Sequence, residues 1–176
     1  MKRIFLLALS LAPASAFAQL TAFTFLNGFS GANAVPANSS SGTGVINILE
    51  YDASVGAFGT LTLDVDFSGL DGPTIDINGT SAHIHGPAAP GATELIAFNL
   101  NSPIGVTSGG ITGTWGLGSQ SEVEDLFGGL YYVNLHTDAV PSGELRGQIV
   151  AVPEPSALGL LVAGLGLVFV AQRRRR

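Results

Sequence analysis

The chain contains three histidines, and two of them, His83 and His85, stand at i and i+2. Neighbours on a strand face opposite ways, so His83 and His85 share one face while Ala82 and Ile84 share the other. Their Cα atoms are then about 7 Å apart, close enough to share a metal ion. The third, His136, falls in another apparent strand, where Tyr132, Asn134 and His136 lie opposite Val133, Leu135 and Thr137. If the two strands pair, three imidazoles converge, and three histidines with an open position suit Zn or Cu. Glu144 is the candidate for a further ligand: Glu144, Arg146 and Gln148 share a face of the last strand, directly after the turn at Pro141-Ser142-Gly143. The same residues fit a second arrangement, a closed hydrogen-bond network in which Glu144 orients a histidine and Glu144 and Arg146 form a structural ion pair. Both arrangements are compatible with the spacing.

Positioning such a cluster requires strands, and the composition supplies them. With 24 Gly and 9 Pro, short apolar segments alternate with Gly, Asn, Asp and Ser clusters, which spells an all-β domain rich in turns. From Phe58 to Phe67 the alternation is clearest: Leu61, Leu63, Val65 and Phe67 on one face, Thr60, Thr62, Asp64 and Asp66 on the other. One segment breaks the pattern. Ser119 to Phe127 carries two overlapping capping boxes, Ser119 with Glu122 and Ser121 with Glu124, and predicts a short helix ending at Gly128-Gly129. The expected fold is a single Greek-key-like β-sandwich of about eight strands with that one helix.

Charge narrows the partners. Six of the seven basic residues are Lys2, Arg3 and Arg173 to Arg176, so between Gln19 and Val150 one cation, Arg146, faces twelve acids, a net charge of -11. Nucleic acid is a poor partner for such a surface, and cations or neutral surfaces are better ones. There is no cysteine nucleophile, no Gly-x-Ser-x-Gly elbow and no phosphate loop with its lysine, and the expectation is a non-enzymatic module. Asp64-x-Asp66 and Asp76-x-Asn78-Gly79 lack the spacing of a calcium loop and read as a solvated face. Trp115, Tyr131 and Tyr132 can stack on sugars but suit the core of strands better.

The two ends carry addresses. Lys2 and Arg3 precede the apolar run Ile4 to Leu11, and Ala16-Phe17-Ala18 supplies small residues, so residues 1 to 18 read as a secretory signal cut by signal peptidase between Ala18 and Gln19. At the other end Pro153-Glu154-Pro155 is followed by sixteen residues without a charge, Ser156 to Ala171, and by Arg173 to Arg176. This predicts a C-terminal transmembrane helix with its basic end in the cytoplasm and the folded domain outside. Residues 151 to 176 resemble the PEP-CTERM sorting signal of Gram-negative bacteria. The resemblance implies recognition of the motif by an exosortase-type protease, anchoring in the inner membrane facing the periplasm, then removal of the helix and delivery to the cell surface or exopolysaccharide matrix, in a setting of biofilm and envelope proteins.

Between the signals, residues 19 to 150 resemble the CHRD family, named after the repeats of chordin. The residues that carry this are Ala34-Val35-Pro36 with Gly42-Thr43-Gly44, then Ala82 to Pro87, then Tyr132 to Thr137, then Pro141 to Ile149. The family often has Glu before the Val-Pro pair, where this chain has Ala34. The resemblance implies an extracellular interaction module. The His-x-His strand is also similar to that of copper-zinc superoxide dismutase, but that enzyme builds a bridged two-metal site from more histidines than this chain owns, and dismutase activity is not expected.

Overall fold

The structure, a computed structural model, describes residues 20–153. They form β1 Leu20–Ser30, β2 Thr43–Asp52, β3 Thr60–Ser68, β4 Ala82–His85, β5 Ile96–Asn99, β6 Gly109–Gly116, β7 Tyr132–Leu135 and β8 Leu145–Ala151. A 3-10 turn, Gly31–Asn33, follows β1, and one helix, α1 Gln120–Phe127, joins β6 to β7. The secretory signal with its Ala18–Gln19 cut, Glu154 and Pro155 of the sorting motif, and the expected transmembrane helix all lie outside the described residues. Among the described residues no helix is long and apolar enough to cross a membrane.

The eight strands make one sheet in the order β5-β4-β7-β8-β1-β2-β3-β6, antiparallel at every pairing. The two edges of this sheet come back together. Just beyond β5, Asn101 exchanges backbone hydrogen bonds of 2.8 and 2.9 Å with Thr112 of β6, and the rings of Phe98 and Trp115 stack across the same seam at 5.9 Å. The expected all-β fold, strand number and single helix are therefore present, but the two faces of the sandwich belong to one continuous, nearly closed sheet. The reason is that β8 pairs with both β7 and β1, which joins the halves that a sandwich would keep apart.

Inside lies the apolar core, including Phe25, Leu63, Val65, Ile84, Ile111, Val133, Leu135, Leu145 and Ile149. In β3 the observed burial follows the alternation, with Leu61, Leu63, Val65 and Phe67 buried and Asp66 exposed. Tyr131 and Trp115 are core residues in edge-to-face contact at 5.0 Å, not an exposed stacking platform. Helix α1 begins where the first capping box places it: the Ser119 hydroxyl accepts from the Glu122 amide at 3.2 Å.

Strands β4 and β7 depart from this half-buried pattern. Every residue of both is buried, as are the first five of β8. These three strands are covered twice, by the core on one face and by the connecting segments on the other. The second cover encloses the polar side chains.

Candidate metal centre

β4 and β7 pair directly, with His83 opposite Asn134 and His85 opposite Tyr132. The ladder continues one step past β7, where the His136 amide donates to Ser81 O at 2.9 Å. Strand alternation then sends Ala82, Ile84, Val133 and Leu135 into the core and leaves the three imidazoles together on the opposite face. Their ring centroids are 5.2 to 5.9 Å apart. All three rings are buried, His83 completely.

Each ring is anchored by one nitrogen. His83 Nε2 meets Ile77 O, His85 Nδ1 meets Glu94 O and His136 Nδ1 meets Pro141 O, all at 2.9 Å. A carbonyl oxygen can only accept, so each of these nitrogens carries the proton, and the tautomer of every ring is set by the backbone. The remaining nitrogens, His83 Nδ1, His85 Nε2 and His136 Nε2, are buried and have no hydrogen-bond partner. One ligand atom from each ring lies within 4.8 Å of the others.

Three unshared electron pairs thus meet in a space closed to bulk water with no donor among the described residues to receive them. Leaving a buried acceptor unmet costs about 1–3 kcal/mol, and here three point toward one another. A cation at their meeting point removes that cost. Three neutral imidazoles, each held through its other nitrogen by a carbonyl, are the donor set and outer-shell pattern of Zn and Cu sites.

The electrostatics agree. Burial holds all three histidines below their usual pKa, His136 down to about 4, and their mutual repulsion lowers His85 and His136 further. At neutral pH they are therefore uncharged and able to bind metal.

The anchors come from turns. Asp76 Oδ1 accepts from the Gly79 amide at 2.7 Å, with Asn78 at φ +53, and this turn presents Ile77 O; the candidate calcium motif is a structural turn. Pro141 O is presented by the turn into β8, where Asn134 Nδ2 donates to Ser142 O at 3.0 Å. Only glycine fits at Gly143, at φ +124, because a Cβ there would fall 2.1 Å from Asn134 Oδ1. Glu94 O lies in the segment before β5 and also receives the Tyr132 hydroxyl at 3.4 Å.

Glu144 does not join the cluster. It precedes the first residue of β8, and its carboxylate accepts from Ser40 Oγ at 2.5 Å, the Asp71 amide at 2.7 Å and Thr137 Oγ1 at 2.6 Å. Nor does it pair with Arg146. That guanidinium lies 3.5 Å over the Tyr132 ring and donates through Nη2 to Gln148 Oε1 at 3.0 Å. The expected ion pair and the expected Glu144–histidine bond are both replaced, because Glu144 ties the loops at Ser40 and Asp71 to the barrel. Of the sorting motif, Pro153 is the last described residue.

Sequence reasoning brought the three histidines together and missed their anchors. A backbone carbonyl leaves no mark in residue type; the Asp-x-Asn-Gly turn before Thr80 was the one visible signal.

Family comparisons agree with both ends of this description. The PEP-CTERM protein-sorting motif matches residues 151–176, a mark of export to the cell envelope or surface. Curated proteins and solved structures give no match. The CHRD domain model matches residues 26–149, which take in β2 to β7, parts of β1 and β8 and all three histidines, and the chain belongs to the CHRD domain family.

Proposed function

We propose that the protein is an exported, non-enzymatic metal-binding module of the cell envelope, holding one Zn or Cu ion through His83, His85 and His136. The observation that carries this is that each of three clustered imidazoles, with one ligand atom apiece within 4.8 Å of the others, keeps a buried nitrogen without a partner. A purely structural histidine network would close on itself; this one spends its protons outward on carbonyls and leaves its acceptors inward. The surplus of twelve acids over one cation between residues 19 and 150 adds a field that favours cations. Beside His85 the Tyr132 hydroxyl is engaged with Glu94, and the reading as a binding module rather than a catalyst is part of the proposal. The route is secretion, processing by an exosortase-type protease after transient anchoring in the inner membrane, and residence at the surface or in the exopolysaccharide matrix.

The test is metal content by mass spectrometry on protein purified without a His tag or chelator, beside a His83→Ala/His85→Ala variant. Near-stoichiometric Zn or Cu is expected in the wild type and none in the variant. A wild type that is folded, metal-free and unchanged in Tm on adding Zn or Cu overturns the proposal.

A further inference from the structure

Arg146 is the only cation between residues 4 and 172, and it is 2% exposed. A buried charge without a counter-charge is costly, and a well-aligned carboxylate offsets that cost. Arg146 has no such partner among the described residues: its contacts are the face of Tyr132 and the Gln148 amide oxygen. Yet none of its nitrogens is among the buried atoms left without a partner. Both facts fit its position, in the wall of a cleft of about 200 Å³ between the turn after β1, the Pro90–Gly91 segment and β8.

The cleft is built around the guanidinium. Gln148 Nε2 is committed to Ala88 O at 2.9 Å and Gly129 O at 2.8 Å, which turns its oxygen toward Arg146 and fixes the planar group. Tyr132 supports it from below. Leu26, Ala34, Val35 and Pro90 supply apolar wall, and no acidic residue lines the space. A guanidinium held flat at such a wall matches the two oxygens of a carboxylate and the carbon skeleton behind it.

We propose that this cleft is a binding site for a single carboxylate group, taken from a small organic acid or from a sugar acid of an extracellular polymer. One guanidinium against a domain charge of -11 suits one singly charged carboxylate at a time and disfavours a phosphate dianion. The site is distinct from the histidine cluster and does not depend on metal.

The side-chain Nε–H resonance of Arg146 gives a direct readout, assigned by its loss in Arg146→Lys. Titration of the protein with acetate and with glucuronate is expected to move it along a saturating curve, whereas glucose and chloride leave it in place. Equal affinity for the two acids identifies the carboxylate alone as the ligand; tighter glucuronate identifies a sugar acid. Ala34→Glu puts a carboxylate of the chain itself into the cleft and is expected to weaken acetate and glucuronate binding at least tenfold, with Tm kept or raised. The wild-type titration decides even if a variant does not fold. No saturable shift with either acid at millimolar concentration, or a folded Ala34→Glu protein that binds as well as the wild type, overturns the proposal.

Discussion

His85 and Tyr132 face each other across the β4–β7 ladder with their rings nearly parallel, 9° and 5.1 Å apart, and both reach the same carbonyl, Glu94 O. The Glu94 amide also donates to the Tyr132 hydroxyl at 3.1 Å. One loop residue therefore holds both His85 and the ring beside it. On its other side, toward β8, Tyr132 carries the guanidinium of Arg146.

Removing that hydroxyl tests the arrangement. Tyr132→Phe keeps the ring but leaves the Glu94 amide without its partner, so the carbonyl that orients His85 loosens. Loss of such an outer partner typically costs 10–100-fold in metal affinity. About tenfold weaker Zn or Cu binding is expected, measured by competition with a chelator, with far-UV circular dichroism unchanged.

Acid should act through the histidines. All three are held below the ordinary imidazole pKa by burial, His136 from 6.5 to about 4. Above the unfolded value both states are neutral and stability is full. As pH falls from 6.5 through about 4, the unfolded chain takes up protons that the folded chain refuses, and stability declines. The His136 shift alone corresponds to roughly 3 kcal/mol. Urea midpoints measured on the metal-free protein should fall across this window, and the fall should shrink in His136→Gln; a flat profile would show that the rings are not buried as described. Bound metal is expected to leave in the same range, since protons compete for the same nitrogens.

Glu144 separates structure from metal binding. Its carboxylate accepts from Ser40, Asp71 and Thr137 while fully buried. Glu144→Ala strands those donors and is expected to cost about 3 kcal/mol or more in stability. Metal stoichiometry in the folded fraction should nevertheless stay at the wild-type value. Loss of metal at unchanged stability would make Glu144 a ligand after all.

Much of this molecule can be read from short-range pattern. Alternation in β3 separates Leu61, Leu63, Val65 and Phe67 from their polar neighbours because a pleated strand has a period of two. The box at Ser119 and Glu122 starts α1 because the first turn of a helix needs acceptors for its free amides. The same period places His83 and His85 on one face, and puts Tyr132, Asn134 and His136 on a face of the partner strand.

Closure of the sheet, by contrast, depends on Asn101 meeting Thr112, a contact between the ends of a long path that no local pattern encodes. The choice of Glu144 for Ser40, Asp71 and Thr137 over Arg146 turns on where the loop after β1 packs, far away in sequence. Alternation alone would leave the histidine face open to solvent; the loops bearing Ile77, Glu94 and Pro141 cover it. So the sequence by itself determined which side chains share a face, because that follows from backbone geometry over a few residues. Only the tertiary structure decided which nitrogen of each imidazole is protonated and that the other three are buried without a partner, because that assignment is made by carbonyls of the flanking loops, and how those loops fold back over the histidine face is not written in the strand pattern.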